Sequence, residues 1–170
     1  MNEAFDDFRA LLPLAQRVGD TLRARGETVA VGESSAGGLI SAALLAVPGA
    51  SAYFLGGGVI YTRRARSRIA AIPREAVEGM RSSSEPYALL LAQTARARLS
   101  ASWGLSETGA AGPQGNSYGD AAGHSCLAVS GPVERVITLE TGSDDRVANM
   151  LLFAARALQL LEEALAQAPR

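Results

Sequence analysis

Apolar residues at the start of the chain recur every three to four positions: Phe5, Phe8, Leu11, Leu12, Ala15, Val18 and Leu22. That period gathers them on one stripe of a helix, and Gly26 after Arg25 supplies a residue that readily ends one. The pattern then shortens. Residues 28–32 form a β-branched run that reads as a buried strand, and residues 39–47 form a small-residue helix stopped by Pro48 and Gly49. Residues 58–62 read as a second buried strand, after which polarity changes abruptly at the basic run 63–68. Pro86, behind Ser84 and Glu85, suits the first turn of a helix that continues from 88 to 99, with Leu89, Leu90, Ala92, Ala95 and Leu99 as its apolar set. Residues 103–108 read as a third strand, leading into a loop carrying Gly109, Gly112, Gly115, Gly119 and Gly123. Residues 125–129 and 133–139 form a hairpin pattern about Ser130, Gly131 and Pro132, and 144–166 a final helix capped near Ser143. Strands alternating with helices predict an α/β sandwich whose sheet is mixed and mostly parallel, with an antiparallel edge from the late hairpin.

Length and composition narrow the picture. At 170 residues and 48% hydrophobic content, the chain suits one core, so residues 1–170 are expected to form one domain. Sixteen basic side chains against 17 acidic ones leave no field for nucleic acid or an anionic membrane, and the expected partner is a small molecule. A single cysteine, Cys126, excludes an internal disulfide and a cysteine-rich metal site, and suits a reducing cytoplasm. No metal-ligand spacing and no cofactor motif is visible. The acidic stretch 1–7 lacks the basic-then-apolar order of a cleaved leader, so none is expected. Residues 34–62 carry no charge, but their glycines and Pro48 would break a membrane helix repeatedly, and the stretch reads as core.

The most enzyme-like segment is 32–38, Gly-Glu-Ser-Ser-Ala-Gly-Gly, between the first strand and the second helix. A strand feeding a small turn lifts Ser34 to a helix N-terminus, where a nucleophile or an anion is favoured. The local alternative is a serine cap, since Ala36 breaks the Gly-x-Ser-x-Gly pattern. Glycine turns at three strand boundaries suggest that the loops near Glu33 and Thr108 share one pocket beyond the strand ends. A serine nucleophile needs a base, and the chain has no lysine at all: all 16 basic side chains are arginine. Glu33 should point to the sheet face opposite Ser34 and serve structure. His124 and Cys126, two apart on one strand, read as structural or surface residues too far apart to form a dyad. The arginines of 63–68 read equally as a solvated face or as the rim of an anionic ligand site, and Asp144 and Asp145 as favourable charge at a helix start.

Taken in order, these segments resemble the C-terminal domain of the competence/damage-inducible CinA proteins. The match runs through Glu33-Ser34-Ser35-Ala36-Gly37-Gly38, residues 48–54, 58–62 and 108–115, and covers nearly the whole chain. The resemblance implies a three-layer α/β/α sandwich with a five-stranded mixed sheet. It also implies an amidase that converts nicotinamide mononucleotide to nicotinic acid mononucleotide through a serine–lysine pair. By resemblance Ser34 is the nucleophile, Tyr61 a catalytic-site tyrosine, and Arg66 stands where the lysine is expected. Ser35, Gly37, Gly38, Thr108, Gly109 and Gly112 fall on substrate-contacting positions. A guanidinium cannot give up its proton near neutral pH, so Arg66 can hold a phosphate or an oxyanion but cannot act as base. Two functions follow: an amidohydrolase, or a family member that binds a nucleotide or partner without hydrolysis. Alanine- and leucine-rich helices are compatible with a homo-oligomer.

Overall fold

The computed structural model of the chain describes residues 7–169. Phe5, the first residue of the predicted helical stripe, lies outside them. Asp7 caps a 3₁₀ turn at Phe8–Leu11 by accepting from the Arg9 and Ala10 amides, and α1, Leu12–Arg25, follows directly. Gly26, at φ 63°, ends α1 in the left-handed conformation that glycine adopts without a Cβ penalty. Next come β1, Val29–Glu33, α2, Leu39–Leu45, and β2, Phe54–Val59. A short helix α3, Arg63–Arg68, precedes α4, Glu85–Leu99, which is capped by Ser84 and carries Pro86 in its first turn. β3, Trp103–Ala110, β4, His124–Ser130, β5, Arg135–Glu140, and the long α5, Arg146–Gln167, complete the chain.

The five strands form one mixed sheet in the order β2-β1-β3-β4-β5. β1 runs parallel to β2 and β3, whereas β4 pairs antiparallel with both β3 and β5. Only β4 is therefore reversed, as expected of a hairpin appended to a parallel sheet. Helices α1, α2 and α5 cover one face, with Val29, Val31, Trp103, Leu105 and Leu127 beneath them. α4 covers the other. Its approach is close because Gly104 has no side chain: a Cβ there would collide with the Ala92 carbonyl.

The second strand differs from the sequence expectation. It begins at Phe54 and ends at Val59, and it lies at the sheet edge with alternating exposure, not buried within the sheet. Gly56, Gly57 and Gly58 carry no side chain to mark a face, so the hydrophobic pattern pointed to the residues after them. Ile60, Tyr61 and Thr62 instead turn off the sheet towards α3, and Thr62 caps that helix through its hydroxyl. No described helix is long and apolar enough to cross a membrane.

Candidate active site

Two buried carboxylates build the turn after β1, one on each flank. Strand alternation sends Glu33 towards α2, where its oxygens accept from the amides of Gly38, Ile40 and Ser41 at 2.9, 3.2 and 3.0 Å and from the Ser41 hydroxyl at 2.7 Å. The start of α2 is thus already satisfied by an anion from the protein itself. Glu107, near the end of β3, reaches the same turn from the neighbouring strand. It accepts from the Ser34 and Ala36 amides at 3.0 and 2.8 Å, from the Ser125 hydroxyl at 3.2 Å and from the Ser35 hydroxyl. Burial pushes the Glu107 carboxyl above the usual carboxylate range, and nearby Glu33 pushes the same way, against the pull of the Ser35, Ala36 and Ser34 donors.

Held this way, the turn presents one uncommitted hydroxyl. Among the described residues the Ser34 side chain makes no hydrogen bond, and it lines a cleft of about 280 Å³ beyond the carboxyl ends of β1, β2 and β3. Tyr61, Arg63, Arg66, Thr108, Gly109 and Tyr118 share that cleft with it. This is where an open α/β sheet collects ligands. Neither a carboxylate nor an imidazole lines it, so apart from its arginines the titratable side chains there are three phenols. Burial pushes the Tyr87 phenol up despite the Arg66 guanidinium beside it. The Tyr118 phenol is pulled down by Ser82 and by the Arg63 guanidinium. Tyr61 is largely exposed, and its hydroxyl accepts from Arg146 Nη2 at 3.3 Å. Arg146 Nη1 also donates to the Gly112 carbonyl at 2.5 Å, tying the glycine-rich loop to Tyr61.

Of the residues singled out from sequence, Ser34, Tyr61, Arg66, Thr108 and Gly109 come together around this cleft. Ser35, Gly37, Gly38 and Gly112 do not line it. Ser35 is spent on Glu107, the Gly37 amide on the Ser34 carbonyl, and the Gly38 amide on Glu33. Those two glycine amides are therefore not free to receive an oxyanion. Ser83, held at φ 57° with its amide on the Thr108 hydroxyl, forms part of the cleft wall. Glu107, Arg146, Tyr118 and Ser83 were not anticipated. Their roles arise from contacts between distant segments, and only the basic residue at the start of α5, opposed to the helix dipole, carried a local hint.

His124 and Cys126 are buried, which fits the structural reading over the surface one, and they touch, with Sγ 3.7 Å from Nε2, which corrects the expectation that they stand too far apart. Two apart on β4, they share the face on which Cys126 packs against Ala88 and Ala92 of α4. They still do not form a nucleophile and base. His124 Nδ1 donates to Glu140 at 2.5 Å and Nε2 to the Ser83 carbonyl at 2.8 Å, and burial pushes the Cys126 thiol up. No cluster of metal-ligating side chains occurs among the described residues.

A mixed five-stranded α/β sandwich with a serine-bearing turn beyond its parallel strands defines the class to which the chain is similar. The family model of the CinA C-terminal domain matches residues 11–165, and the chain belongs to that family. A CinA-like protein of Anaeromyxobacter sp. (strain K) is 42% identical over 146 residues, which cover 85% of this chain and 35% of the relative. One from Myxococcus xanthus (strain DK1622) is 37% identical over 155 residues, covering 88% and 36%. The chain thus spans about a third of the length of the curated relatives it matches. Among solved structures, the competence/damage inducible protein CihA from Agrobacterium tumefaciens superposes with a TM-score of 0.82 at 31% identity, covering 92% of this chain and 96% of the other. The competence damage-inducible protein A (ComA) from Klebsiella pneumoniae subsp. pneumoniae MGH 78578 gives 0.86 at 25% identity, covering 92% and 98%.

Proposed function

We propose that the Ser34 cleft binds nicotinamide mononucleotide and hydrolyses its carboxamide to the acid and ammonia. The observation that carries this reading is the Ser34 hydroxyl: it sits in a cleft lined by cationic side chains and is free of any hydrogen bond within the described chain. Ser34 Oγ would attack the carboxamide carbon. Its proton would travel to the departing nitrogen, ammonia would leave, and water would split the resulting ester to release the carboxylate and restore the serine. Arg66 stays protonated throughout, so its part is to stabilise the oxyanion or hold an anionic group of the ligand. Proton transfer then falls to the phenols of the cleft or to water. A cytoplasmic setting and a homo-oligomeric assembly belong to the same proposal.

One observation favours a second reading, binding without turnover: no lysine, carboxylate or imidazole lines the cleft to activate the serine. Ammonia release from nicotinamide mononucleotide, measured for the wild-type protein and for Ser34→Ala and Arg66→Lys variants, separates the two. Turnover lost in Ser34→Ala supports the hydrolase. An inert wild type that binds the nucleotide in a calorimeter supports the binding protein, and absence of both binding and turnover removes the nucleotide from the account.

A further inference from the structure

His124, the chain's single histidine, does not line the Ser34 cleft, yet it holds part of the cleft wall. Its Nε2 lies 2.8 Å from the Ser83 carbonyl oxygen and its Nδ1 2.5 Å from a Glu140 carboxylate oxygen. A carbonyl and a carboxylate only accept, so both ring nitrogens must carry a proton, and the ring that makes both bonds is an imidazolium. The other groups around it leave that charge in place. From the glycine-rich loop, Asp120 Oδ2 stands 3.7 Å from Nε2, and the other Asp120 oxygen pairs with Arg81 at 3.1 Å. From β4 the Cys126 thiol, pushed up by burial, faces the ring as a neutral group. Glu85 of α4 is one step removed, accepting the Thr138 hydroxyl that touches Cys126.

Ser83 is the residue that needs holding. It sits at φ 57°, in the left-handed region that a side chain disfavours, and it is pinned from two sides. Its amide donates to the Thr108 hydroxyl at 3.2 Å, and its carbonyl accepts from His124. Ser83 and Thr108 both line the cleft. A neutral ring has one proton for two acceptors, and the charged one, Glu140, makes the stronger bond. A bare nitrogen lone pair then faces the Ser83 carbonyl, and one of the two pins is gone. We infer that His124 is a positioning residue for the cleft: its imidazolium fixes the wall formed by Ser83 and Thr108, and loss of its proton loosens that wall and weakens ligand binding beside Ser34. Burial opposes the ring's charge, but Glu140, the Ser83 carbonyl and Asp120 outweigh it, so the proton leaves at a higher pH than from an ordinary histidine.

The effect on ligand binding rests on the proposed reading of the cleft as a nucleotide site, whereas the coupling of ring to wall does not. The test therefore has two parts. Heteronuclear NMR of the isotope-labelled protein follows the single imidazole and the Ser83 and Thr108 amides from pH 6 to pH 9. Both amides are expected to shift with the midpoint of the ring and to stop titrating in His124→Gln. Glu140→Gln, a change at an exposed side chain, should lower the ring midpoint by about one pH unit, and the Ser83 midpoint should fall with it. A Ser83 amide that ignores the ring, that still titrates in His124→Gln, or that stays put when Glu140→Gln moves the ring overturns the inference. In the second part, calorimetric titration of nicotinamide mononucleotide across the same range should show affinity falling about tenfold further in the wild type than in His124→Gln. The cleft phenols and the ligand's own ionisation are common to both proteins, so equal pH profiles overturn the inference as well. Ammonia release judges the amidase reading by itself. Release with matching pH profiles in wild type and His124→Gln leaves the amidase without the clamp, and a Ser83 amide that follows the ring in a protein releasing no ammonia leaves the clamp without the amidase.

Discussion

The Glu107 carboxylate accepts the backbone amide of Ser34 at 3.0 Å, a bond between residues 73 positions apart in sequence. The same carboxylate holds the Ala36 amide and the hydroxyls of Ser35 and Ser125, so one side chain satisfies four donors in a site without solvent. Removing it would leave those donors buried and unpaired. Glu107→Ala is expected to destabilise the protein by about 3–5 kcal/mol, and Glu107→Gln by less because one acceptor oxygen remains. Urea unfolding of both variants checks this, and equal losses would show that the acceptor count is not what matters.

Ser34→Ala should behave in the opposite way. The hydroxyl has no partner to lose among the described residues, so stability should stay within about 0.5 kcal/mol of wild type while, on the proposed amidase reading, deamidation disappears. A large drop in melting temperature would mean that the serine is structural.

Arg66→Lys exchanges a permanent cation for an amine that can be neutral when desolvated. If the hydrolase reading holds, kcat for ammonia release should rise by at least about tenfold, since a positioned base is worth about 10²–10⁴. An unchanged kcat would locate the proton path elsewhere.

Arg146 bridges Tyr61 and the Gly112 carbonyl, so Arg146→Ala frees the loop and the tyrosine together. On the proposed amidase reading, steady-state kinetics of ammonia release should show kcat/KM lowered by roughly tenfold or more with only a small change in melting temperature. Arg146→Lys, which keeps the charge but loses the fork, should recover little of it.

His124 should make stability pH-dependent. Burial opposes its imidazolium, but Glu140, the Ser83 carbonyl and Asp120 together outweigh burial, and its pKa lies above the ordinary value. The stabilisation is therefore complete below the unfolded pKa of about 6.5 and is lost as pH rises through the higher folded value. Urea midpoints measured from pH 6 to pH 9 should fall in the wild type and flatten in His124→Gln. Identical slopes would show that this group does not govern the change.

The element order and the meeting of the turn at Ser34 with the loop at Thr108 and Gly109 were legible because both follow from local pattern, whereas Tyr61 and Arg66 were singled out by the family resemblance alone. Strands of period two and helices of period 3.6 place their ends, and a parallel sheet collects those ends on one side. Glu107 was not legible. A single glutamate between Ser106 and Thr108 in a strand gives no sign that three of its four donors lie 71–73 residues upstream. The same holds for Ser83 and Tyr118, which reach the cleft from loops whose paths the sequence pattern does not specify. The edge strand misled for a different reason. Three glycines in a row erase the alternation by which a half-exposed strand is recognised, leaving the aliphatic residues beyond them as the stronger signal.

The paired glutamates also bear on how this pocket can change. Glu33 and Glu107 fix the path of the main chain around Ser34, and neither lines the cleft. The scaffold of the turn and the chemistry of its surroundings are thus separate modules. A side chain lining the cleft, such as Arg66, can therefore be exchanged without touching the hydrogen bonds that present the serine.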